Sequence, residues 1–340
     1  LAVVSVVLVA IVVFALLRLD LPHVGHALIS ASPGWVALGL ALMMSSLFLR
    51  ALSWHETLRA ALPDQRVGWA TVARATMIGV MASAVFPGRI GEPTRMIVLS
   101  RRLQGSTRRR LPVVAGTVLS QTIINLLALA ILAAITFTSV PLLRGRGSAL
   151  EAVLAFPVIV GAIVLLGPPL MRLGQRSRHV RIHLAANAIS GLLRLARQGL
   201  AVFARPRHGV VAVAAQLMAW VLQWAACYMV ILSLGLQGKA GPVAAAAILL
   251  AVNVTAVLPA TPSNVGVFQA ACLVVLAAYG VDASPGLAYG IILQAVEVLT
   301  ALALGLPALL REGMSWQDIR RAATEGPSPE RAPPPPPADA

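Results

Sequence analysis

Residues 111–137, LPVVAGTVLSQTIINLLALAILAAITF, run for 27 residues without a charged side chain. A helix needs roughly 20 such residues to cross a hydrocarbon core of about 30 Å. Lipid offers the backbone no hydrogen-bond partner, so only a helix or a closed barrel satisfies it there. Comparable apolar runs occupy 1–17, 35–49, 69–86, 150–171, 210–236, 242–258, 265–281 and 287–310. Nothing alternates with the period of two that a membrane barrel requires. The expected class is an all-α polytopic membrane protein. Only 11% of the 340 residues are charged, against about a quarter in soluble domains, which excludes a large soluble enzyme. The first run lacks a basic leader and a small-residue cleavage site, so it is expected to remain as a span. Cys227 and Cys272 fall inside apolar runs and are expected to be packing residues.

The net charge of +15 is concentrated in two acid-free stretches. Arg101, Arg102, Arg108, Arg109 and Arg110 form one, and eight arginines between Arg172 and Arg207 the other. Basic loops beside spans mark the cytoplasmic face, which argues for a membrane surface and against nucleic acid. With those loops inside, residue 1 and the tail are cytoplasmic and 138–149 is external. The connection 50–68, with Arg50, Arg59 and Arg66, falls inside. Within 172–209, residues 180–204 place Ile189, Leu192, Leu193, Ala196, Leu200 and Phe203 on one stripe, a basic amphipathic helix for the inner leaflet. The segment 322–340 is Pro-rich and polar and is expected to be disordered.

Two apolar regions are interrupted. The first, 69–100, breaks at Pro87-Gly88 and Gly91-Glu92-Pro93. The second, 242–281, breaks at LPATPSNVG, which holds Pro259, Pro262, Asn264 and Gly266. Proline removes a helical donor and clashes with the preceding turn. Such backbone survives at membrane depth only where protein or a water-filled cavity satisfies it. Both regions are therefore expected to be re-entrant helical hairpins beside about six full spans. Residues 1–137 (spans 1–17, 35–49 and 111–137 with hairpin 69–100) then repeat, inverted, as 150–310 (spans 150–171, 210–236 and 287–310 with hairpin 242–281). Inverted repeats with broken helices place a binding site at the breaks.

Of twelve acids, Glu92 and Glu297 are the two expected within membrane-embedded sequence. An ionisable residue there faces a cavity or a partner. A helix starting near Ile90 or Gly91 puts Glu92 and Arg95 on one face, with Arg89 at its mouth. Its free N–H groups and two arginines suit a phosphate-bearing headgroup, while an ion pair pinning the hairpin is the structural alternative. Asn264 and Gln269 at the second break, and Glu297, complete the expected substrate-binding set with Arg89, Glu92 and Arg95. Gln121 and Asn125 share a helical face, as do Gln216 and Gln223 and also Gln294 and Glu297, and such residues are expected mostly to hydrogen-bond to other helices. The six histidines (23, 26, 55, 179, 183, 208) are placed in connections. His179 and His183 have metal-pair spacing but no neighbouring carboxylate or cysteine, so no metal, catalytic residue or cofactor is expected. There is no Walker loop, HExxH or G-x-S-x-G.

FPGRIGEPTRMIVLSRRL resembles the first signature of the lysylphosphatidylglycerol synthase transmembrane, or flippase-like, family. That Pro-x-Arg-x-Gly-Glu-x-x-Arg pattern falls on Pro87, Arg89, Gly91, Glu92 and Arg95. LPATPSNVGVFQAACLVVLAAYGV resembles the second signature, with a longer Thr-Pro-Ser-Asn turn and Gln269 in place of the usual Glu. The resemblance spans residues 1 to about 312. It implies a stand-alone membrane unit, without the cytosolic transferase domain of the best-known members, in a bacterial inner membrane. The expected activity is translocation of an anionic or modified lipid. The alternative is a non-transporting accessory protein scaffolding an envelope-lipid biosynthetic enzyme.

Overall fold

A computed structural model describes residues 21–65, 67–85, 90–103, 107–139, 201–256 and 264–313. Among these the chain is helical, without strands: α1 (Leu21–Ser30), α2 (Pro33–Ala61), α3 (Trp69–Val85), α4 (Gly91–Arg102), α5 (Thr107–Ser139), a single turn α6 (Ala201–Ala204), α7 (Pro206–Ser233), α8 (Pro242–Thr255), α9 (Val267–Ala277) and α10 (Ala283–Glu312). Four of these are long and apolar enough to cross a membrane: α2, α5 over Val113–Thr136, α7 and α10. The protein is a multi-pass membrane protein. Helices α3, α8 and α9 are apolar but shorter. The runs 1–17 and 150–171, most of the stretch 172–209, and the tail 322–340 lie outside the described residues.

Helix α2 corrects one expectation. The span anticipated at 35–49 continues through Arg50, His55, Glu56 and Arg59 to Ala61. No glycine or proline interrupts 50–62, and the first breaker is Pro63. The placement of the histidines in connections is corrected with it. His23 and His26 lie in α1, His55 in α2 and His208 in α7. His179 and His183 are outside the described residues.

α2 and α7 pack as an antiparallel pair, and Ser32 N–H donates to the Ser233 carbonyl (2.8 Å) where α2 begins and α7 ends. α10 lies against α1, α2, α3 and α9. Its contact with α3 closes at Gly305, where a Cβ would collide with Met81. Trp54, Leu58, Ile78, Met81 and Leu99 fill one core between α2, α3 and α4. Ile231, Ile248, Leu276, Tyr289 and Leu293 fill a second between α7, α8, α9 and α10. Cys227 and Cys272 belong to that second core as free, buried thiols.

Both ends of α10 are tied to neighbours. At its last turn, Glu312 accepts from Arg74 Nε in α3 (2.5 Å) and Arg102 Nε at the end of α4 (2.7 Å). The first turns of α3 and the end of α4 therefore lie together at that end. At the opposite end Lys239, just before α8, faces Asp282, just after α9, at 3.5 Å. Trp224 of α7 donates to the Pro242 carbonyl there (2.8 Å).

Candidate functional site

α4 opens at Gly91, with Glu92 in its first turn, where the unpaired N–H groups favour a carboxylate. The start of α4 can approach α3 this closely because both contact residues are glycines. A Cβ on Gly91 would collide with the Gly79 carbonyl and the Ser83 hydroxyl, and one on Gly79 would press on Arg95. Arg95 is thus folded into the bundle rather than extended to the interface. Its side chain is 9% exposed and ion-paired with Glu92. Its Nη1 donates to Gln121 Oε1 (2.7 Å), and its guanidinium lies 4.7 Å from the centre of the Trp54 ring. Trp54 Nε1 donates in turn to Thr117 Oγ1 (3.1 Å), and Gln121 Nε2 to the Arg50 carbonyl (3.0 Å). One arginine therefore joins α2, α4 and α5. Gln121 serves in this network, and its expected companion Asn125 accepts from Gln216 and Trp220 of α7. Arg89, Pro87 and Gly88 lie outside the described residues.

At the second break, Asn264 adopts φ 56°, a left-handed conformation that asparagine tolerates better than most residues. Both its amide atoms are buried without a hydrogen-bond partner among the described residues. Gly266 follows at φ 87°. Its N–H donates to Gln269 Oε1 (2.6 Å), closing the first turn of α9. Gln269 Nε2 donates to Gln294 Oε1 on α10. Gln269 thus accepts and donates at once, joining the first turn of α9 to α10. The approach is close because α10 presents Gly290, whose Cβ would sit 3.1 Å from Gln269 Cα. Pro259 and Pro262 lie outside the described residues.

Between the two starts sit the charges that matter most. Glu297 is at the midpoint of α10, about 21 Å from either end at 1.5 Å per residue. It shares a face with Gln294. Arg50, near the middle of α2, lies within electrostatic reach of Glu297, Glu92 and Arg95. Neither the Arg50 guanidinium nor the Glu297 carboxylate makes a hydrogen bond or ion pair among the described residues. Both keep partial exposure at their central positions, so neither is sealed in solid core. Arg50 was assigned to a connection from sequence. The absence of any breaker before Pro63 is the signal that places it in a helix.

The family model described as Lysylphosphatidylglycerol synthase TM region matches residues 1–305. No curated protein matches the chain.

Proposed function

The chain belongs to the lysylphosphatidylglycerol synthase TM-region family, and on that premise we propose that it binds and translocates an anionic or modified lipid across a bacterial inner membrane. The observation that carries this reading is the pair Arg50 and Glu297, opposite in sign, central in their helices and without a direct partner. Separated charges at that depth are costly unless something lies between them. A headgroup does this: its phosphate forks onto Arg50, and a hydroxyl or ammonium on the same headgroup donates to Glu297. Glu92, half-exposed beside the pair, and Asn264 with its unused amide add polar lining.

The reading extends to architecture. α3 with α4 opens toward the Glu312 end of α10, and α8 with α9 toward the Asp282 end. We read these as two re-entrant hairpins of opposite sense, related as an inverted repeat, whose starts meet near mid-membrane. The arginine-rich end is then cytoplasmic.

Mass spectrometry of lipids co-purifying with the protein tests the site. Arg50→Gln should retain anionic lipid about tenfold less than the unsubstituted chain, the scale of one lost charge-assisted fork. Glu297→Gln should keep anionic lipid but lose preference for headgroups that carry an amine. If Arg50→Gln folds and retains the same lipids at the same occupancy, the pair does not hold the headgroup.

A further inference from the structure

A polar cavity, of about 530 Å³, lies at the Glu312 end of the bundle, away from the Arg50–Glu297 pair. It is walled by the last turns of α2 (His55, Arg59), the connection to α3 (Pro63, Gln65), Trp69 and the start of α7 (Arg205, His208). Its volume falls within the roughly 300–1,000 Å³ of small-molecule sites.

The charge in this cavity is unbalanced. Glu56 is the carboxylate beside it, only 11% exposed, and its capacity is taken up. His208 Nδ1 donates to its Oε2 (2.6 Å), and His55 Nδ1 and Arg59 Nη1 lie 3.4 and 3.6 Å from its Oε1. His55 Nε2 is committed to the Val67 carbonyl (3.0 Å), which holds the ring in place. Arg205 has no acidic partner among the described residues, and the Arg59 head is 54% exposed. Two guanidinium groups and a histidine edge thus line a space with no carboxylate among its described lining residues, and the neighbouring Glu56 is already engaged. Besides Gln65, the remaining wall is apolar, with Leu62, Pro63, Val67 and Trp69, whose ring stacks on Phe48 with ring centres 6.2 Å apart.

We propose that this cavity is a second ligand site, which takes a phosphate ester whose phosphate is forked by Arg59 and Arg205 and whose organic part lies against Trp69. Arginine suits the role because its planar fork matches phosphate oxygens. The cavity exceeds what a bare phosphate ion would fill. The same chemistry is presented by a lipid headgroup at the membrane surface and by a soluble phosphate ester. Glu56 is a positioning residue: it holds His208 without touching the ligand.

The test uses the full chain in maltoside micelles, with phosphatidic acid and glycerol phosphate as separate probes, followed by native mass spectrometry and calorimetry. Saturable binding of either probe is expected, weakened about tenfold or more in the Arg59→Gln/Arg205→Gln double variant. Both arginines are largely solvent-facing, so the variant should keep the wild-type melting midpoint. Arg207→Gln, outside the cavity, should bind as wild type does, and the loss in the double variant should persist in an Arg50→Gln background, where the central pair contributes least to lipid binding. Binding of phosphatidic acid alone identifies a lipid headgroup as the source, and of glycerol phosphate alone a soluble ester. If neither probe binds, or binding is unchanged in the double variant, the site is refuted.

Discussion

Arg95 shows how much a residue's role depends on what surrounds it. From sequence its spacing from Glu92 fitted either a headgroup ligand or an ion pair, and the structure commits most of its fork to Glu92, Gln121 and the Trp54 face. The substitution Arg95→Gln should therefore act mainly on stability, costing about 1–3 kcal/mol from the lost charge-assisted bonds and cation–π contact. Arg95→Lys should cost less, since the charge stays while the fork is lost. Denaturation of the purified protein measures both. Equal stability of Arg95→Gln and wild type would mean that the three-helix network is idle. Glu92, Arg95 and Glu297 were legible in the sequence because charges stand out in apolar surroundings. Arg50 was not, because Arg59 and Arg66 nearby made 50–68 look like a basic loop. The local signal was present, since no breaker precedes Pro63. What the sequence does not show is the tertiary partner of that polar helix end: Glu56 meets His208 of α7, 152 residues away.

At the scale of elements, the apolar runs anticipated the four long helices, because length and lack of charge are local properties. The start of α4 at Gly91 was legible for the same reason. What lay beyond the sequence was the fit between elements, which depends on glycines facing particular partners. Gly91 against Gly79 is the tightest such contact. Replacing Gly91 with alanine should destabilise the protein by about 1–3 kcal/mol, the cost of overpacking a rigid contact. Gly25, with nothing near its Cβ position, should tolerate alanine with little change. Thermal unfolding of the two variants side by side would show this, and equal midpoints would contradict the close α3–α4 approach. Gln269 is likewise a contact between elements, as the amide that joins α9 to α10.

For the whole molecule, the proposed orientation puts Asp64 and Asp282 on opposite sides of the membrane. Both are exposed, and the native thiols are buried. With Cys227 and Cys272 replaced by alanine, Asp64→Cys should react with an impermeant maleimide from the cytoplasmic side and Asp282→Cys from the other. Labelling of both from one side would undo the inverted arrangement. Translocation itself is the central claim, and it requires that the space between Arg50 and Glu297 be occupied in passage. Its direct measure is the rate at which a fluorescent phosphatidylglycerol in the inner leaflet of proteoliposomes becomes accessible to an external quencher. Wild type should exceed the protein-free rate, Arg207→Gln should match wild type, and folded Arg50→Gln should fall to the protein-free rate. A wild-type rate equal to that of protein-free vesicles, or an Arg50→Gln rate equal to wild type, would contradict the account.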